Sequence, residues 1–389
     1  MKLNRKLKMG MVGGGPGAFI GEVHRKSSRL DGEIELVAGA FDIDPAKSKQ
    51  MGKELALDST RVYGTYTEMI KSELKLPESE RIDFVAITTP NNWHFPIARE
   101  FLKAGFHVMC EKPMTITSRQ AKQLQAMVKK TGLVFGLMHN YTGYPMAKLA
   151  RDMVKNGDLG KIRKVVVQYP QGWLATAIER AGQMQASWRT DPKQSGAGCV
   201  GDIGTHAANL AEYITGLKIT HVCAELTTFV AGRKVDDDCN CLLKLNNGAK
   251  GVLHATQIAI GEENNLAIWV YGEEKSLEWH QEHPNYLYVK ESDGPEQVWK
   301  RGNGYVGEYS LTAARNTRLP SGHPEAFFEA FANNYRNFAE TVKCAIAGKK
   351  PSALALDFPG VNEGVRGMLF IETVIASAKS KQKWTKMKL

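Results

Sequence analysis

An apolar run over residues 8–12 leads straight into Gly13-Gly14-Gly15-Pro16-Gly17-Ala18, and a helical period follows over about 18–30. Strand, glycine loop and helix in that order constrain the fold more than any other stretch of the chain. Residues without a Cβ permit a tight turn and let a pyrophosphate approach the backbone. The helix behind the loop presents N–H groups that have no partner within it. The loop fits G-x-G-x-x-[G/A]. The predicted phosphate cradle is therefore Gly13, Gly15, Pro16, Gly17 and Ala18, with Phe19 and Ile20 opening the helix. Asp42 ends the second apolar run, 29 residues after Gly13. An acid there accepts hydrogen bonds from an adenosine ribose and repels a 2′-phosphate, which favours NAD and leaves NADP as the alternative.

The alternation continues to about residue 138. Strand-like runs fall at 34–41, 82–88, 107–110 and 133–138, with helical periods at 45–55, 95–104 and 117–130. Asp44 and Pro45 read as an N-cap and a first helical residue. Continuous apolar strands separated by helices imply a parallel, doubly wound α/β sheet. Residues 71–81 are polar and read as a surface excursion. Beyond about residue 150, strand-like runs at 161–169, 221–230, 239–245, 250–259 and 265–271 indicate an antiparallel sheet, with Asn246-Asn247-Gly248 as a hairpin turn. A helix is predicted over 201–215, ended by Gly216, and two more over 325–348 and 357–380. The expected organisation is a dinucleotide-binding domain over 1–140 and a second α/β domain over 141–389.

The net charge is +10, yet nine of those positive charges stand in two acid-free ends, 1–8 and 379–389. These read as solvated tails. The near-neutral remainder gives no basic face for nucleic acid. No apolar run approaches the roughly 20 residues that span a membrane, and no signal-type segment follows the basic start. The six cysteines lack a disulfide spacing, and Cys239 and Cys241 would share one strand face. Reduced thiols point to the cytoplasm. Asp236-Asp237-Asp238 reads as a solvated turn, and no histidine spacing suggests a metal site.

Three segments fall where such a fold places chemistry: Thr88-Thr89-Pro90-Asn91-Asn92-Trp93-His94, Glu111-Lys112-Pro113 and Gly201-Asp202-Ile203-Gly204-Thr205-His206. Asp202 and His206 are i and i+4, which a helix puts on one face. The glycine loop, the Glu-Lys-Pro and the Asp-Ile-Gly-Thr-His helix together resemble the glucose-fructose oxidoreductase/inositol dehydrogenase (Gfo/Idh/MocA) family over nearly the whole chain. The resemblance implies an N-terminal Rossmann domain and a C-terminal α/β domain with a large, open, mostly antiparallel sheet. It implies dimers or tetramers that pair through that sheet. Lys112, Asp202 and His206 match the family's catalytic Lys, Asp and His. Thr89, Pro90, Asn91, His94 and Glu111 match positions lining the nicotinamide half of the dinucleotide, as does Asn140 after the family's sixth strand. Two departures stand out. Gly15 reaches Gly21-Glu22-Val23-His24 only after three extra residues, and Tyr141 follows Asn140 where the family often has Arg.

The implied reaction is hydride transfer between NAD(P) and a secondary alcohol of a sugar, glycoside or cyclic polyol. His206 would serve as base and Lys112 as donor to the substrate oxygen, with Asp202 orienting them or holding a hydroxyl. Lys112, Asp202 and His206 thus also touch the substrate. Trp173 offers an indole to a sugar face, Arg189 two parallel donors, and His323 a loop imidazole. The second domain shows no phosphate-binding cluster of Arg and Lys, which favours an unphosphorylated substrate. Two rival readings remain: a redox-assisted glycosidase or lyase with tightly bound NAD, and a non-catalytic NAD(P)-binding sensor.

Overall fold

A computed structural model describes residues 5–388, so Lys2 of the basic N-terminal end lies outside the described residues. The chain forms two compact units. One takes the residues up to Thr115, Arg119–Asn140 and Phe327–Val365; the other takes Ile116–Ser118, Tyr141–Ala326 and the residues from Arg366 on.

The first unit is built on five parallel strands: β1 (Leu7–Gly13), β2 (Ile34–Ala40), β3 (Phe84–Thr88), β4 (His107–Cys110) and β5 (Phe135–Leu137). Their order is β2-β1-β3-β4-β5. The sheet grows to opposite sides of β1, so the loops after β1 and β3 open at the carboxyl edge where this topology binds ligands. Strands β3 and β4 are wholly buried, as their unbroken apolar runs require. Asp44 caps the helix Pro45–Glu54 by accepting from the Ala46 amide at 2.9 Å.

Three sequence expectations change here. The helix after β3 starts at Asn91 rather than 95, so Pro96 lies inside it. Residues 71–81 are not all surface: the helix Tyr66–Glu73 ends on a fully buried Glu73. That carboxylate accepts from the Arg61 guanidinium at 2.6 and 3.0 Å, the Tyr63 hydroxyl at 2.9 Å and the Ile82 amide at 2.9 Å. Third, the helix Phe327–Ile346, expected with the second domain, belongs to this unit. Its Phe331, Tyr335 and Phe338 pack edge-on or tilted against His24 and Phe84.

The second unit holds a nine-stranded sheet: β6 (Lys164–Pro170), β7 (Ile219–Thr227), β8 (Asp238–Leu245), β9 (Lys250–Thr256), β10 (Ala267–Tyr271), β11 (Lys275–His280), β12 (Tyr286–Glu291), β13 (Gln297–Lys300) and β14 (Thr385–Lys386). The order is β13-β12-β11-β10-β6-β9-β8-β7-β14, antiparallel except for β6 beside β9. The β8–β9 turn closes with Gly248 at φ +92°, a conformation that favours glycine. Cys239 and Cys241 share the buried face, their sulfurs 3.6 Å apart. Burial alternates strictly along β8, so one face is core and the other open.

Two polar features read as solvated are tied into the fold. Arg5 grips Asp83 with two donors at 2.6 and 2.8 Å, and Lys386 pairs in register with His221. Asp237 is buried and accepts from the Phe229 and Val230 amides and from Arg233, while Asp236 accepts from the Gly198 and Val200 amides. Adjacent acids survive there because each has its own set of donors.

Candidate active site

The glycine loop leaves β1 through two left-handed residues, Gly13 at φ +86° and Gly14 at φ +73°. A Cβ on Gly21 would lie 2.3 Å from the Gly14 Cα, so loop and helix touch backbone to backbone. Arg25 braces the loop by donating to the Gly14 carbonyl at 2.7 Å. The helix Phe19–Arg29 begins after Ala18, which supplies no side-chain cap. Its first-turn amides are thus left for an anion. A Cβ on Gly15 would meet the Phe41 carbonyl at 2.8 Å and Asp42 Oδ2 at 3.1 Å, which puts the predicted ribose acid beside the loop. Asp42 is half-buried, and Pro16, Gly17, Ala18, Phe19 and Ile20 all keep exposed surface. Phe19 is 63% exposed and stacks loosely on Phe327.

At the ends of β3, β4 and β5 lie the other predicted cofactor residues. Two of these residues hold a buried polar atom with no hydrogen-bond partner: Thr89 Oγ1 and Asn140 Nδ2. Unmet buried groups are costly, and an acceptor with a donor suits the carboxamide of a nicotinamide. The loop, the uncapped helix and these atoms fit a dinucleotide. Asn140 follows β5, the fifth and last strand of this sheet in the described residues. His94 is buried, with Nδ1 2.7 Å from the Pro113 carbonyl and Nε2 2.9 Å from the Thr89 carbonyl, so it ties the β3 and β4 turns together. Burial holds its pKa below the ordinary value despite both carbonyls. His139 is pushed down to about 3 by burial and then by Lys112, which removes it as an acid or base near neutrality. Pro90 and Lys112 are half-buried, and Asn91 is buried.

The second unit places Asp202 in a π-helical turn, Val200–Gly204, that runs directly into the helix Thr205–Thr215. Such turns widen a helix locally and recur at functional sites. Asp202 Oδ2 accepts from Gln257 Nε2 at 2.8 Å and lies 3.4 Å from Arg189 Nε. Arg189 has donors to spare, its buried Nε being without a hydrogen-bond partner. It gives one to Gln185 Oε1 at 2.6 Å and lies over Trp188 at 4.2 Å and Trp173 at 5.9 Å. Trp173 donates to Gln171, and Gln171 to Asn264. His206 is buried with the Tyr141 ring T-shaped against it, centroids 4.8 Å apart. The Tyr141 and Tyr169 hydroxyls are hydrogen-bonded, and Tyr169 donates to Asn264 at 2.7 Å. This unit therefore gathers Trp173, Arg189, Asp202 and His206. His323 is exposed, on a loop pinned by the buried Arg301–Glu325 pair.

Sequence reasoning missed Gln257, Tyr141, Tyr169 and Asn264 as neighbours of the catalytic candidates, and His24 and Tyr335 behind Glu111. Only His24 carried a signal, as the final residue of the displaced G-x-x-H. Among the described residues, no helix is long and apolar enough to cross a membrane, and no cluster of three metal-ligating side chains occurs.

Residues 7–139 match the model of an oxidoreductase family with an NAD-binding Rossmann fold, and residues 147–278 match the GFO/IDH/MocA C-terminal domain. Among solved structures, an inositol dehydrogenase homolog complexed with NAD+ from Azotobacter vinelandii is 34% identical, with 98% of each chain covered and a TM-score of 0.93. The uncharacterized oxidoreductase YfiI of Bacillus subtilis (strain 168) is 32% identical over 99% of this chain and 98% of its own. The levoglucosan dehydrogenase of Pseudarthrobacter phenanthrenivorans is 27% identical over 77% of this chain and 79% of its own.

Proposed function

Given that the chain belongs to the GFO/IDH/MocA family of NAD-binding oxidoreductases, we propose that it transfers hydride between NAD and a secondary alcohol of an unphosphorylated sugar, glycoside or cyclic polyol. The observation that carries this reading is the polar fork of Arg189, Asp202 and Gln257 with the Trp173 indole, in the same unit as the His206 imidazole. A charged fork and an indole face suit a ring with several hydroxyls. NAD bound at the glycine loop supplies the hydride acceptor. His206 takes the hydroxyl proton during oxidation and returns it during reduction. Lys112 donates to the substrate oxygen and favours its developing negative charge. Asp202, itself fixed by Gln257, holds a neighbouring hydroxyl or orients these groups.

The relatives that carry inositol and levoglucosan in their names support a cyclic polyol or anhydrosugar. A screen of NAD reduction at 340 nm over inositols, glucosides, anhydrosugars and free hexoses tests the proposal. Net NADH must form; product without NADH would indicate a lyase, and neither would indicate a sensor. Lys112→Ala and His206→Ala should each lower kcat by about 1,000-fold with NADH still bound. Near-normal turnover in both would remove these roles.

For the assembly, we infer that two copies pair through the open sheet face. Register places Leu242, Val252, Val166, Trp269, Glu278 and Tyr288 in one row across six strands, and Leu242 is 47% exposed. A mainly apolar row of this breadth suits self-association. Sedimentation of the wild type against Trp269→Lys reads it, a monomeric wild type being the contrary result.

A further inference from the structure

A hydrogen-bonded chain of three buried side chains lies behind Lys112, and the reaction above does not use it. His24 is fully buried on the helix Phe19–Arg29. Its Nε2 lies 2.7 Å from Glu111 Oε1, and its Nδ1 lies 2.6 Å from the Tyr335 hydroxyl on the helix Phe327–Ile346. The second oxygen, Glu111 Oε2, accepts the backbone N–H of Lys112 at 3.0 Å. Burial pushes the Glu111 carboxyl up, but the His24 hydrogen bond and the charges around it, Lys112 among them, outweigh burial and hold it below its ordinary value. An ionised carboxylate only accepts, so Nε2 is the donor to it. Burial, and then Glu111, push the Tyr335 hydroxyl up, so it keeps its proton and donates to Nδ1. Each donor in the chain then has its acceptor, ending on the main chain of Lys112.

This accounts for the displaced motif. The three extra loop residues do not move His24 away, because Gly21 still packs on Gly14 and His24 follows it by one helical turn. We propose that His24 is a positioning residue. By fixing the Glu111 carboxylate it fixes the Lys112 amide, and with it the direction in which the Lys112 side chain leaves the turn. The proposal rests on the reading of Lys112 as the donor to substrate. The charged and titratable groups facing Glu111 are His24, His94 from the helix Asn91–Lys103, the buried Cys110 thiol of β4, Lys112, His139 after β5 and Tyr335.

The test compares His24→Leu, His24→Gln and Tyr335→Phe in the full chain. The substrate is the polyol that gives the highest rate in the screen above. Hydrogen exchange at the Lys112 amide is followed alongside kcat, its pH profile and NADH binding. His24→Leu should speed exchange at that amide and lower kcat on the order of 100-fold, since small misplacements of reacting groups are that costly. It should also move the acidic limb of the kcat profile upward as Glu111 loses its donor, with NADH binding unchanged. His24→Gln, which can still donate to Glu111, should recover most of the rate, and Tyr335→Phe should fall between. Unchanged exchange at the Lys112 amide, or His24→Gln as slow as His24→Leu, overturns the proposal. Should His24→Leu not fold, the other two variants carry the test. If Lys112→Ala turns over normally while exchange still rises in the His24 variants, the positioning stands and the catalytic reading of Lys112 fails.

Discussion

The two units hold their catalytic candidates by different means. In the dinucleotide unit the grip is on the main chain: Glu111 holds the Lys112 amide, and His94 holds the Pro113 and Thr89 carbonyls. In the sheet unit the grip is on side chains: Gln257 and Arg189 meet the Asp202 carboxylate, and the Tyr141 ring meets His206. A cofactor of constant shape suits a turn fixed through its backbone. Groups that must suit one substrate among many can be retuned singly when neighbouring side chains hold them.

The comparison breaks most visibly through stability. Arg301 and Glu325 form a buried ion pair in the sheet unit, and Glu325 also receives the Arg318 and Leu319 amides. Arg301→Leu removes the nearer cation and leaves that carboxylate only the Arg318 guanidinium, 4.0 Å away, which should cost about 3 kcal/mol. Denaturant unfolding followed by tryptophan fluorescence measures it, and a loss below about 1 kcal/mol would show the pair to be replaceable.

Acid should act through the other unit. Burial lowers His107 to about 4 and His139 to about 3, from an ordinary 6.5. The unfolded chain therefore binds these protons first. Their contribution is whole above about pH 6.5 and is lost as pH falls toward 4 and 3, by about 1.4 kcal/mol per histidine for each pH unit. Chemical denaturation at pH 7 and pH 4.5 should show a smaller acid loss in His139→Gln than in the wild type. An equal loss would exclude His139 as a source.

The smallest effect sharpens the contrast in how the sites are held. Gln257→Leu removes one side-chain contact to Asp202 and should lower kcat/KM about tenfold, with NADH affinity intact. A change in NADH affinity instead would mean that side-chain grips in the sheet unit also serve the cofactor.

What the sequence made legible was local. β1, the glycine loop and the helix after it are consecutive, and Asp44-Pro45 caps a helix within three residues. Lys112, Asp202 and His206 stand out as candidates because short motifs surround them. The groups that hold them do not: His24 meets a tyrosine 311 positions away, and Asp202 a glutamine 55 away. Glu73 misled for the same reason, since a carboxylate in a polar stretch looks solvated until Arg61 and Tyr63 are seen around it. Arg189 meets Asp202, 13 positions on, and the Trp173 indole, 16 positions back, neither of which a short motif announces.

The return of Phe327–Ile346 to the dinucleotide unit bears on how the chain is made. A nascent polypeptide that has passed Asn140 carries every strand of the parallel sheet, yet lacks the rings that cover His24 and Phe84. Nearly 200 further residues must be synthesised before Tyr335 emerges to complete the hydrogen-bonded chain behind Lys112. Translation thus delivers the phosphate loop early and the support for the Lys112 turn late, and a fragment ending at Asn140 would expose an apolar face to chaperones rather than stand as a free-folding module.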